Sequence, residues 1–296
     1  MKYIFRTLTI AMILFLGTAS AQQETNYSLY RYTMNAVNPA YAGTNSEYIE
    51  FTSHAKSFWR GVNGAPEVYT FNITAPINDR LGFGLSVIND KVFIENEIDV
   101  FLDLSYRLQL NEKTNLFLGV KAGGSSYRLS PSELKGYNVG VDPVLWEIDS
   151  QFRPNFGVGA YVKKDDFFFS FSIPKLFNSR ALIKDESDTV VYSKGEMTTY
   201  ISSGYNFDFR GIEFKPSFMA IYTDGAPLSV DFTAAARVID KLEVGFSYRT
   251  DRAFSGLFLL DLYDWMSIGY AYETSTRSDI IKVSSGSHEL MLRFLL

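Results

Sequence analysis

The chain has two imidazoles, His54 and His288, and no cysteine. Glu289 follows His288 directly, and His54 shares a residue parity with Glu50, Thr52 and Lys56. An imidazole beside a carboxylate can move a proton or hold a metal ion. A grouping of His54, His288 and Glu289 is therefore the first place to look for chemistry, provided that the two segments lie side by side. Asp99, Asp103 and Arg107 form a second set, with consecutive charges four residues apart. On an extended strand that spacing is about 13 Å, too far for two carboxylates to act as a paired acid and base. Gly82-Phe83-Gly84 and Gly157-Val158-Gly159 look like fragments of phosphate loops, but neither opens a helix, so the dinucleotide reading fails its context. The sequence has no nucleophile elbow, no HExxH and no EF-hand spacing. The expectation is a protein that is not an enzyme, with no catalytic residue, no metal and no cofactor. Its buried polar residues then neutralise one another.

The elements that carry these residues explain why. In Ile98–Leu108, the residues Ile98, Val100, Leu102, Leu104, Tyr106 and Leu108 fall on one parity, and Asp99, Phe101, Asp103, Ser105 and Arg107 fall on the other. A strand sends alternate side chains to opposite faces, so this one has an unbroken apolar face and a charged face. Its length suits a stave that crosses a bilayer. The pattern recurs. Val244, Phe246 and Tyr248 oppose Glu243, Ser247 and Arg249, while Met266, Ile268, Tyr270 and Tyr272 oppose Ser267, Gly269, Ala271 and Glu273.

The repeats predict staves at 48–58, 67–75, 80–90, 96–109, 114–124, 152–163, 165–173, 197–208, 211–222, 228–236, 241–249, 252–261, 265–273 and 287–295. That is about fourteen, an even number, as a bacterial outer-membrane barrel requires. Short polar turns alternate with a longer class of connection that includes Trp59–Pro66, Ser125–Gln151, Pro174–Glu196 and Thr274–Gly286. An outer-membrane barrel keeps its short turns in the periplasm. An Arg or Lys facing the bilayer midplane costs about 2–4 kcal/mol, so the charged parity must face the lumen. Lys121, Lys215, Asp231, Arg237, Glu243 and Arg249 on that parity mix both signs, which points to a salt-bridged interior more than to an ion filter.

Composition agrees. Aromatic residues make up 16% of the chain, as barrel girdles demand, and a net charge of −5 gives no reason to expect nucleic acid. Lys2, Arg6, the apolar run Ile10–Gly17 and Ala19-Ser20-Ala21 read as a signal peptide over residues 1–21. Residues 22–47 have no sustained period and carry turn chemistry at Asn38-Pro39 and Ala42-Gly43. They are expected to be a periplasmic segment or a plug that enters the lumen, ahead of a transmembrane β-barrel over 48–296.

A resemblance extends this reading. NPAYAG at Asn38–Gly43 is followed by Trp59, Gly61 and Gly64-Ala65-Pro66, then GFGLSVINDK at Gly82–Lys91. Later come Asp142-Pro143, PNFGVG at Pro154–Gly159, Ser172-Ile173-Pro174, Lys215-Pro216-Ser217, DGAP at Asp224–Pro227 and GSHEL at Gly286–Leu290. In this order and spacing the chain resembles the PorP/SprF family of the type IX secretion system of Bacteroidota. At the first long loop it carries Lys56-Ser57-Phe58-Trp59 where the family tends to have Arg-x-Gln-Trp. The resemblance implies an outer-membrane barrel of the secretion and gliding machinery that supports export or surface retention of a secreted adhesin. Its implied partners are the adhesin or its C-terminal sorting domain, the periplasmic and outer-membrane components of the apparatus, and the lipid bilayer. The family motifs suggest Asn38, Pro39, Tyr41, Gly43, Trp59, Gly64, Pro66, His288 and Glu289 as partner-binding residues. Two alternatives belong to other classes: a passive or substrate-specific porin, and an outer-membrane hydrolase using His54 and His288.

Overall fold

The computed structural model describes residues 26–130, 148–149, 152–177, 179–184, 190–194, 196–250, 253–276 and 281–296. The predicted links at Ser125–Gln151 and Pro174–Glu196 lie partly outside these residues, and the stretch 277–280 and the predicted signal peptide lie outside them.

Fourteen antiparallel staves form one sheet. They are β1 (Glu50–Ser57), β2 (Glu67–Pro76), β3 (Leu81–Val92), β4 (Glu95–Asn111), β5 (Thr114–Leu129), β6 (Arg153–Lys164) and β7 (Phe167–Ile173). Then follow β8 (Thr198–Tyr205), β9 (Ile212–Thr223), β10 (Ser229–Ile239), β11 (Leu242–Arg249), β12 (Ala253–Tyr263), β13 (Met266–Ser275) and β14 (Ser287–Leu295). Each pairs with its sequence neighbour, and β1 pairs with β14 from Glu50↔Leu295 to Ser57↔His288, which closes the barrel. Closure removes the unpaired edges that an open sheet would expose to lipid. All fourteen predicted staves correspond to observed ones. The largest difference lies in β5, which continues to Leu129. A separate hairpin, Ser179–Lys184 with Val190–Lys194, stands in the connection after β7.

The faces sort as the alternation demands. On β4, Asp99, Phe101, Asp103 and Ser105 are buried inside, while Val100, Leu102, Leu104 and Tyr106 are exposed on the outside. Leu102 lies near the middle of β4 and is 50% exposed. Leu102→Arg should therefore lose about 2–4 kcal/mol of folding stability in a bilayer. Urea titration of the protein folded into lipid vesicles measures this, and an unchanged midpoint would mean that this face does not meet lipid.

One wall is discontinuous. The β8–β9 ladder runs from Thr198↔Thr223 to Gly204↔Ser217 and then stops. It resumes beyond Asn206, where Phe207–Phe209 pairs with Phe214 to Ile212. Lys215-Pro216 faces the gap, and Pro216 has no N–H to give to a ladder.

Residues 26–44 lie inside the barrel. They form a 3-10 turn at Tyr30–Tyr32, one α turn at Met34–Val37 and a second 3-10 turn at Pro39–Tyr41. Asn38 caps the last turn by accepting from Ala40 N at 2.9 Å, and Pro39 fills the first position, where no N–H is needed. The segment starts beside Lys56 in the outer half of the lumen and leaves beside Ala75 and Gly82 at the periplasmic end.

Candidate functional site

The lumen holds the chemistry-bearing residues, and most of them contact the inner segment. At the β1–β14 seam, the Glu289 carboxylate accepts from Ser28 N at 2.8 Å and from Leu29 N at 3.0 Å. The same carboxylate lies 3.4 Å from His54 Nδ1 and 3.6 Å from Lys56 Nζ. Lys56 donates to Asn26 O at 2.6 Å and reaches Glu273 at 3.4 Å. Arg249 pairs with Glu273 at 3.1 Å and with Asp231 at 2.8 Å. His54 Nε2 meets Thr33 Oγ1 at 2.6 Å. Each inward charge is thus met by an opposite charge or by the segment's backbone, the condition under which buried charges persist.

The wall opposite repeats the logic. Lys121 pairs with Asp103 at 3.0 Å and donates to Ser86 Oγ at 3.1 Å and Asn35 O at 3.4 Å. Lys175 reaches across to Asp99 at 2.6 Å. Asp99 and Asp103, expected to be neutralised among the lumenal charges, are met by Lys175 and Lys121 from other elements and not by Arg107 of their own strand. Lys215 pairs with Glu243 at 2.8 Å. Arg31 of the inner segment donates to Lys215 O at 2.9 Å and to Asn206 Oδ1 at 2.8 Å. Those acceptors sit at the break in the β8–β9 ladder, so Arg31 patches from inside what Pro216 leaves open. Tyr30 donates to Ser217 Oγ at 2.8 Å. Burial pushes its hydroxyl up to about 12, so it stays a protonated donor across the physiological range.

Residues 38–43 are seated by absence of side chains. A Cβ on Gly119 would fall on Ala40 N and lie 2.6 Å from Ala40 Cα. One on Gly159 would overlap Asn38 Oδ1 and lie 2.9 Å from its Cγ. Gly43, at φ +64°, has its Cβ position 2.5 Å from Gly82 Cα, so two backbones touch where both residues are glycine. Asn38 donates to Ser170 Oγ at 2.7 Å, Ser172 donates to Val37 O at 2.8 Å, and Ser105 donates to Ala42 O.

His54 and His288 do not form a pair. His54 points into the lumen, whereas His288 sits on the outer face between Tyr270 and Tyr272, with its Nδ1 2.8 Å from Tyr270 Oη. Adjacent staves had suggested that they could meet, but positions 54 and 288 have opposite parity in this register. Among the described residues no group of three His, Asp or Glu side chains is placed to hold a metal ion.

The profile described as "Type IX secretion system membrane protein PorP/SprF" matches residues 19–294, nearly the whole chain. The chain belongs to the PorP/SprF family. No curated protein matches its sequence. Among solved structures, this PorP/SprF barrel is similar to the outer membrane protein Omp33 of Acinetobacter baumannii, at 9% identity over 85% of this chain and 100% of that one, with a TM-score of 0.50. It also matches the toluene transporter TbuX of Ralstonia pickettii, at 13% identity over 87% of this chain and 91% of that one, with a TM-score of 0.47. Family and fold place the protein in the outer membrane.

Within the PorP/SprF barrel the family motifs separate by position. Asn38 and Pro39 are enclosed in the lumen, Tyr41 packs on Tyr161 with ring centroids 4.3 Å apart and planes tilted by 38°, and Gly43 makes the contact with Gly82. Glu289 is 1% exposed and belongs to the seam network. Trp59, Gly64 and Pro66 lie in the first outer loop. Trp59 N donates to Ser287 Oγ at 3.2 Å, Pro66 O accepts from Phe58 N at 2.9 Å, and Gly64 O accepts from Phe93 N at 3.1 Å. Sequence reasoning missed Ser28, Leu29, Arg31 and Asn35 as partners of the lumen. The available signal was the inward parity of Gly82, Gly119 and Gly159, which leaves room for something to fill.

Proposed function

We propose that this PorP/SprF protein is a docking barrel of the type IX secretion apparatus and not a pore. In this reading it supports export or surface retention of a secreted adhesin by binding the adhesin's C-terminal sorting domain or its carrier components. The supporting observation is the filled lumen. Residues 26–44 and their ion-paired seats occupy the space that a porin keeps open. Two cavities beside Asn26–Thr33, one bounded by Ser28, Arg31 and Glu243 and the other by Tyr27, Thr33 and Met219, are about 10 Å³ each. That is room for roughly one water. Partners then meet the ends of the barrel, where the outer loop at 58–66 presents Trp59, and not the lumen.

Deleting the gene should abolish surface display of one adhesin while nutrient uptake stays normal, as read by whole-cell immunofluorescence and growth. The purified barrel should be electrically silent in planar bilayers. Normal display in the deletion strain would overturn the docking reading, and steady conductance would favour the porin.

A further inference from the structure

Three outer connections are sewn into one surface: residues 58–66 between β1 and β2, Phe93-Ile94 between β3 and β4, and residues 281–286 ahead of β14. Arg60 N donates to Gly286 O at 2.8 Å, and Ser285 N donates to Arg60 O at 2.9 Å. From the wall below, Tyr272 Oη donates to Ser285 O at 3.0 Å. Phe93 N donates to Gly64 O at 3.1 Å, and the Phe93 ring lies where a Cβ of Gly64 would be. Connections tied through their backbones present their side chains in preorganised positions.

Those side chains are apolar and cationic. Trp59, Phe93 and Val283 are exposed, Val283 by 63%. Trp59 at φ +43° and Phe93 at φ +55° hold a left-handed backbone that bulky residues rarely adopt. Strain of this kind collects at positions that hold a ligand. Arg60 and Lys282 are exposed beside them, and neither has an ion pair among the described residues. A Cβ on Gly61 would lie 3.8 Å from Val283 O, so the two cations belong to adjoining stretches of chain. Lys91, by contrast, lies opposite Glu67 in the β2–β3 register. All five residues stand beyond the ends of their staves. A lipid headgroup there would answer the two cations and leave the three apolar side chains in water.

We propose that Trp59, Phe93, Val283, Arg60 and Lys282 form a docking face for an acidic segment of the exported chain that also carries apolar side chains. The apolar groups bury against Trp59, Phe93 and Val283, while carboxylates pair with Arg60 and Lys282 and steer the approach. The inference rests on the docking reading and names the surface and the partner chemistry for it. Gly64 then has the role of seating Phe93.

The gene deletion is complemented with wild type, Arg60→Glu/Lys282→Glu or Arg60→Lys/Lys282→Arg, and heat-modifiable gel mobility checks that each barrel has folded. The charge-reversed variant should display at least about tenfold less adhesin by whole-cell immunofluorescence, and the conservative variant should display it normally. Photoreactive benzoylphenylalanine in place of Val283, in living cells with the wild-type charges, should crosslink to an acidic stretch of that adhesin. Charge reversal should remove the adduct. Normal display by the charge-reversed variant, or adducts to lipopolysaccharide or to no protein, overturns this face and leaves docking standing. Normal display in the uncomplemented deletion strain overturns docking, and this face with it.

Discussion

Gly119→Val and Gly159→Val should each unseat the inner segment and turn a silent barrel into a conducting one. Both glycines face inward on neighbouring staves, paired directly as Gly119↔Gly159. Together they make the flat patch on which Asn38, Pro39 and Ala40 lie. A new side chain on Gly119 would strike the backbone of Pro39 and Ala40, and one on Gly159 would strike the Asn38 carboxamide, which its bonds to Ala40 N and Ser170 Oγ hold in place. Overpacking where nothing can rotate away costs about 1–3 kcal/mol, sometimes more. The barrel wall is tied by ladders on both sides, whereas the segment is held by short turns and side-chain contacts and by no ladder, so the segment yields. With residues 38–43 displaced, a fourteen-stave barrel is wide enough to hold water along its axis. Single-channel recording and the urea midpoint measure the two consequences. Gly256→Ala is the control, since a Cβ there meets nothing within 4 Å. If both valine variants stay silent and as stable as wild type, the inner segment is not seated on these glycines.

Much of the barrel is legible because a stave between lipid and lumen has a strict period of two. Ile98–Leu108 shows it without a break, and the structure puts Leu102 outward and Asp103 inward as that period requires. The inner segment shows no period for an equally physical reason. A chain enclosed on all sides has no polar face to alternate with, so Tyr27, Leu29, Tyr30 and Met34 read as scattered apolar residues. Cross-strand partnership is also invisible along the chain. Parity says that Asp103 faces the lumen, but it takes the β4–β5 register to set it opposite Lys121. The failed His54–His288 pairing has a different cause: His288 shares the outward parity of Leu290 and Leu292, so alternation along the last stave alone separates it from His54. The register that puts Met291 opposite His54, and Glu289 opposite Lys56, was not legible. Pro216 was readable as a ladder breaker, but not that Arg31 would close the gap it leaves.

Glu289→Ala should destabilise the folded barrel by about 3–5 kcal/mol, the scale for removing one partner of a buried ion pair. Glu289 is 1% exposed, and its two oxygens serve Ser28 N, Leu29 N, His54 and Lys56 together. Alanine leaves two amides without an acceptor and leaves Lys56 with Glu273 as its remaining carboxylate partner. Glu289→Gln retains one oxygen, which can still accept from one amide. It should therefore cost less, about 1–3 kcal/mol. Lys56→Met combined with Glu289→Met separates the two contributions. If charge pairing dominates, removing both ions recovers most of the loss, because an apolar pair of similar volume avoids desolvation. If the amides dominate, the double variant stays as unstable as Glu289→Ala. A double-mutant cycle on urea midpoints in vesicles reads the coupling. Equal midpoints for wild type and Glu289→Ala would mean that the seam closes without the segment. The predicted order, with alanine below glutamine and glutamine below wild type, instead requires that the backbone of Ser28 and Leu29 helps to hold the first stave to the last.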